Sequence, residues 1–92
     1  MGKAEGYVEN YLKKEANKRG FLCMKFTSPG TSGVPDRILI GHNLTFFVET
    51  KSNVGSLREL QTEVIHDMQK HGATVFVAHT REEIDKIFEQ LK

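Results

Sequence analysis

Asp36 follows Pro35, and thirteen positions later the chain reads Glu49-Thr50-Lys51. Two carboxylates and a lysine at the ends of neighbouring strands are the groups needed to hold a hard divalent cation, Mg²⁺ or Mn²⁺, against a phosphodiester and to act on an attacking water. The two-residue period of a strand puts Glu49 and Lys51 on one face and turns the Thr50 side chain to the other, leaving the Thr50 carbonyl as a third oxygen ligand. Lys51 then has three possible duties: orienting the water, deprotonating it, or neutralising charge on the phosphate. These residues point to metal-assisted phosphodiester hydrolysis, the chemistry of a nuclease.

Other residues are candidates to join them. Gln61 falls among Leu57, Leu60, Val64, Ile65 and Met68 on a helix face expected to meet the sheet. An inward amide must find partners, in a water or phosphate at the site or in a backbone group of the core. Glu5 and Glu9 lie one turn apart near an apolar stripe of the first helix, and either could extend the acidic cluster. Ser28, Thr31 and Ser32, with Arg37 nearby, offer hydroxyls, amides and a cation to a phosphate backbone, although such a segment also serves as a plain turn. The four histidines show no zinc spacing.

The elements that must position these groups are legible from periodicity. Val8, Leu12 and Ala16 recur at helical spacing between Ala4 and about Arg19, and Gly20 ends the run. Phe21 to Thr27 is expected to be a strand, followed by the turn-rich run Ser28-Pro29-Gly30-Thr31-Ser32-Gly33. Asp36 to Ile40 and Thr45 to Lys51 form a hairpin about Gly41-His42-Asn43. Ser56 and Glu59 have capping-box spacing ahead of a second helix that runs to about His71, where Gly72 stops it. Ala73 to Ala78 is an apolar strand, and Thr80 with Glu83 opens a last helix carrying Ile84, Ile87, Phe88 and Leu91. The order α-β-β-β-α-β-α predicts an α/β fold: an antiparallel meander, then a strand added parallel through a helical crossover, giving a mixed sheet flanked by helices.

Composition narrows the class. Ninety-two residues with 38% apolar content make residues 1–92 one domain, small enough that self-association would add buried surface. The single cysteine, Cys23, excludes an internal disulfide and a multi-cysteine zinc site, and reads as a small buried hydrophobe. No stretch reaches membrane-spanning length and the amino terminus lacks the apolar block of a signal peptide, so a cytoplasmic protein with no membrane partner is expected. Net charge is only +1, yet residues 1–58 hold nine Lys/Arg against five Asp/Glu, while 59–92 hold four against seven. Positive charge thus accompanies the candidate site, as a phosphate-binding surface requires.

Lys25-Phe26-Thr27-Ser28-Pro29-Gly30, Gly33-Val34-Pro35-Asp36-Arg37, Phe47-Val48-Glu49-Thr50-Lys51 and Leu60-Gln61 resemble the VRR-NUC branch of the PD-(D/E)XK nuclease superfamily, over nearly the whole chain. The resemblance implies a restriction-endonuclease-like core. It also implies metal ligation by Asp36, Glu49 and the Thr50 carbonyl, Lys51 as the catalytic lysine, Gln61 as a supporting catalytic residue, and a first-helix glutamate, assigned to Glu9 with Glu5 as substitute. Thr50 departs from the family pattern, where leucine is more usual. Small free-standing phage and bacterial members resemble homodimeric junction-resolving enzymes, which implies branched DNA, four-way (Holliday) junctions foremost, as substrate, with Mg²⁺ or Mn²⁺ and no organic cofactor. A non-cleaving nucleic-acid-binding module of the same fold, and a nuclease acting on flaps or duplex ends, are the alternative expectations.

Overall fold

The computed structural model describes the backbone of residues 3–51 and 58–91, with side chains from Gly6 onward. Its elements are α1 (Lys3–Lys18), β1 (Leu22–Lys25), β2 (Arg37–Gly41), β3 (Leu44–Thr50), α2 (Glu59–Lys70), β4 (Val75–Ala78) and α3 (Arg81–Gln90). They form one four-stranded sheet in the order β1-β2-β3-β4. The first three strands are antiparallel, and β4 lies parallel to β3 with Thr50 beside Ala78. Both the α-β-β-β-α-β-α order and the mixed sheet are as expected from periodicity. No helix among the described residues is long and apolar enough to cross a membrane.

The sheet separates two helical layers because β3 alternates. Phe46 and Val48 are buried in one cluster with Val8, Leu12 and Ala16 of α1 and Ile84, Ile87 and Phe88 of α3. Full burial of such a side chain contributes about 1.5–3 kcal/mol, so this cluster is the main source of cohesion. Phe21, Phe46 and Phe88 make it partly aromatic: Phe21 stacks on Phe88 at 5.4 Å, and Phe46 meets Phe21 edge-on at 5.7 Å. Tyr11 donates to Asp85 at 2.8 Å and ties α1 to α3. The opposite face of β3 carries Phe47 and Glu49, in register with Val75 and Val77 of β4, and is the one α2 covers, with Ile65 as its buried residue.

Turns fix the registers. His42 and Asn43 join β2 to β3 with φ of 52° and 64°, and two consecutive left-handed residues match the twist of a two-residue hairpin. At Gly41 an added Cβ would lie 2.8 Å from the Phe21 ring and 3.0 Å from the Gly20 carbonyl, so glycine lets the end of β2 approach the α1–β1 turn.

Several local expectations shift. The first strand spans only four residues, because Thr27 and its neighbours leave the ladder after Phe26 donates to the Asp36 carbonyl at 2.7 Å. Leu60 is 52% exposed rather than sheet-facing. Glu59 opens α2 as its first residue, with extended Arg58 as N-cap and no side-chain cap, so it is not the third helical residue a capping box demands; Ser56 and Leu57 lie outside the described residues. At α3 the cap is modified: Thr80 accepts from the Glu83 amide at 3.1 Å, while the Glu83 carboxylate reaches one residue further back, to the His79 amide, at 2.6 Å.

Candidate active site

Glu49 is the centre of the site because it is a carboxylate only 2% exposed. A buried charge survives only where donors replace the lost water. Here the Asp36 amide donates to Oε1 at 3.1 Å, the Lys51 ammonium lies 3.2 Å from Oε2, and the Gln61 side chain is near enough to favour the charged carboxylate. The hairpin, the end of β3 and the first turn of α2 therefore converge on one carboxyl group. Burial still pushes the Glu49 carboxyl above its ordinary value, the negative charge of Asp36 adds to the rise, and Lys51 and Gln61 oppose it.

Asp36 is also raised, first by burial and then by the charge of Glu9; Lys25, Lys51 and the Thr50 backbone amide pull the other way. Two neighbouring carboxyl groups thus both resist ionisation, chiefly because they are withdrawn from water.

The backbone of Thr50 adjoins the same pair. Phe47 donates to the Thr74 carbonyl and Lys51 to the Ala78 carbonyl, so the odd residues of β3 bond towards β4 and the even ones towards β2. The β2 register ends at Arg37 opposite Val48, so Thr50 lies beyond the last residue paired with that strand. Its carbonyl is therefore outside the β2 ladder. The Thr50 side chain is buried, as an intervening residue turned from the site should be. Gln61 adds a second oxygen: its Oε1 is buried with no hydrogen-bond partner. This oxygen is free to accept from a water or another donor.

Oxygen-only donors of this kind suit Mg²⁺ or Mn²⁺, which accept one or two carboxylates and retain several waters. Among the described residues no three Asp, Glu, His or Cys side chains converge on a common point. The candidate donors are Asp36, Glu49 and the Thr50 carbonyl, with the Glu9 carboxylate near Asp36. Glu9 stands at the margin, bound at 2.8 Å to Arg37 yet close enough to Asp36 to be felt by it. The Glu5 side chain lies outside the described residues.

Of the groups expected to meet DNA, Thr31 and Ser32 are exposed in a loop whose turn is closed by the Thr31 amide donating to the Ser28 carbonyl at 3.2 Å. Arg37 is directed elsewhere, to α1, with its side chain 12% exposed. Gly33 brings this loop against α2: its φ is +91°, and a Cβ there would lie 3.2 Å from the Gln61 Cα, the Leu60 carbonyl and a Val64 methyl. Lys25 is the residue sequence reasoning passed over. It pairs with Arg37 in the β1–β2 register and acts on Asp36; its signal was its place in the Lys25-Phe26-Thr27-Ser28 run.

Fold and site define a class, the small nuclease-like α/β domains that gather carboxylates and a lysine at one end of a mixed sheet. A solved structure described as a VRR_NUC domain superposes with a TM-score of 0.87 and 30% identity, covering 97% of this chain and 98% of that one. The chain belongs to the VRR-NUC domain family. No family profile matches it. A protein of Acyrthosiphon pisum secondary endosymbiont phage 1, named "Putative nuclease p44", is 41% identical over 49 residues; the match covers 52% of this chain and 53% of the phage protein, about half the length of each.

Proposed function

We propose that this chain is a Mg²⁺- or Mn²⁺-dependent endodeoxyribonuclease that hydrolyses phosphodiester bonds in branched DNA, four-way junctions foremost, as a homodimer. The observation that carries the reading is the convergence of Asp36, Lys51 and Gln61 on buried Glu49 beside an unpartnered Gln61 oxygen. Asp36, Glu49 and the Thr50 carbonyl would hold the cation. When bound, it supplies Lewis-acid polarisation of the phosphate and makes water a stronger nucleophile. Lys51 places a positive charge beside the phosphate as negative charge grows on its oxygens. Gln61 Oε1 accepts a hydrogen bond from the attacking water and orients it. Glu9 holds Arg37 at the rim and adds negative charge near Asp36.

Kinship with the VRR-NUC family supports nuclease chemistry, and the junction preference follows the sequence resemblance. Leu22, Met24 and Ile40 support the dimer: they share one sheet face and are 55%, 42% and 38% exposed, a patch of the sort that marks association.

Incubation of the purified protein with labelled linear, flap and four-way DNA, with and without Mg²⁺, tests the reading alongside a mass measurement in solution. Metal-dependent cutting of the four-way substrate by a dimer is expected. Asp36→Asn and Lys51→Ala should each lower the cleavage rate by about 10²-fold or more, with far-UV circular dichroism unchanged. Undiminished cleavage by either variant would remove the site assignment. Binding without cleavage in either metal would favour a non-cutting module.

A further inference from the structure

One strongly basic feature lies outside the site. Asn10, Lys13, Lys14 and Asn17 fall at helical spacings of three and four along α1 and line a groove of about 500 Å³ against β1, floored by Phe21, Leu22 and Cys23. No Asp or Glu lines it. Both carboxylates of α1 with described side chains are committed elsewhere, Glu9 to Arg37 at 2.8 Å and Glu15 to Arg19 and Lys18 at 3.2 and 3.4 Å. Among the described residues none places a carboxylate within ion-pair distance of Lys13 or Lys14. Two cations and two side-chain amides, each able to donate to phosphate oxygens, thus share one open surface.

The helix that walls the groove also reaches the rim of the site. Asn10 adjoins Glu9, whose partner Arg37 follows Asp36 directly. Cys23 lines the groove and packs against the core cluster that α1 joins, and Arg37 pairs with Glu9 of that same helix. From Glu9 to Asn17 the helix advances about 12 Å, and one DNA strand advances about 3.4 Å along the duplex axis per phosphate, so the groove has room for roughly three phosphates. Elsewhere the exposed helical charges lean acidic: Glu59, Glu63 and Asp67 against Lys70 on α2, and Glu82, Glu83 and Glu89 against Arg81 and Lys86 on α3. A polyanion at the site is repelled along those surfaces and attracted along α1.

We propose that the α1–β1 groove, through Lys13, Lys14, Asn10 and Asn17, seats the phosphate backbone of the DNA arm leading away from the candidate site, an assignment that rests on the nuclease reading above. Binding of fluorescently labelled four-way DNA is measured by anisotropy in EDTA across about 50–200 mM KCl for the wild type, K13Q/K14Q, K13R/K14R and, as a control removing the same charge elsewhere, K70Q/K86Q. Lys70 and Lys86 are exposed on α2 and α3. K13Q/K14Q should bind roughly tenfold more weakly, and its slope of log K against log salt should shrink by about two, one for each phosphate that the missing ammonium groups no longer neutralise. K13R/K14R should recover the wild-type slope, and K70Q/K86Q should retain it.

Equal slopes for K13Q/K14Q and wild type, or equal losses in K13Q/K14Q and K70Q/K86Q, would overturn the groove while leaving the nuclease reading intact. Failure of that reading shows separately, as wild-type protein that cuts none of the substrates with Mg²⁺ or Mn²⁺. Wild-type protein that binds no DNA in EDTA would likewise overturn the groove, whose contacts need no metal.

Discussion

Glu49 and Asp36 illustrate how a residue is tuned by what surrounds it. Both carboxyl groups hold their protons to higher pH in the fold than in the unfolded chain, chiefly because burial removes water from the charged form. Between the ordinary carboxylate value and the raised one, the native state binds more protons than the unfolded state. The unfolding free energy contributed by this pair therefore falls as pH rises through that window, and is at its highest below it. Metal-free denaturant melts from about pH 4 to 7 should show the fall in wild type and a flatter curve in the Asp36→Asn/Glu49→Gln double variant. The same protons compete with a cation, so the cleavage rate should climb with pH across the same window. A rate independent of pH there would separate the two carboxylates from the chemistry.

At the level of elements, the loop from Ser28 to Pro35 joins β1 to β2 and also packs on the first turn of α2. Gly33 makes that approach in a left-handed conformation, with Gln61, Leu60 and Val64 each 3.2 Å from where a Cβ would stand. Gly33→Ala combines backbone strain of about 1–2 kcal/mol with pressure on the turn that carries Gln61. Its unfolding temperature should drop by about 4–8 °C for each kcal/mol of destabilisation. Cleavage should fall further than in Ser32→Ala, which removes only an exposed hydroxyl. Equal rates in the two variants would show that Gly33 does not position Gln61. In the main core, Phe46→Ala should cost about 3–5 kcal/mol in denaturant melts, because Phe46 is 1% exposed and meets three aromatic rings.

The whole molecule brings Asp36 and Glu49 together at one end of its sheet, with Glu9 of α1 and Gln61 of α2 beside them. Ionising both buried carboxyl groups costs stability, which a cation bound between them would restore. Mn²⁺ at about a hundred times its dissociation constant should stabilise the native state by about 2.7 kcal/mol, visible as a rise in the unfolding temperature that is absent from Asp36→Asn. An equal rise in that variant would place the ion elsewhere.

Much of this was legible in the chain because periodicity is a local property. Val8, Leu12 and Ala16 marked α1, the run at Gly41-His42-Asn43 marked the hairpin, and the hairpin in turn made Asp36 and Glu49 neighbours. The spacing of Glu49 and Lys51 alone assigned both to one strand face. Other features depend on packing between residues distant in sequence, which no local pattern encodes. Leu60 has the spacing of an inward residue but faces outward, because α2 begins at Glu59 and its first turn is held by the Gly33 loop. Arg37 has the type of a DNA-binding residue, yet the docking of α1 on the sheet turned it to Glu9. Lys25 came to act on Asp36 only through the β1–β2 register. Residue types and their local spacing thus determined the elements and the chemistry available to them; packing between distant segments decided which charges meet, because burial and ion pairing exist only once the chain has closed on itself.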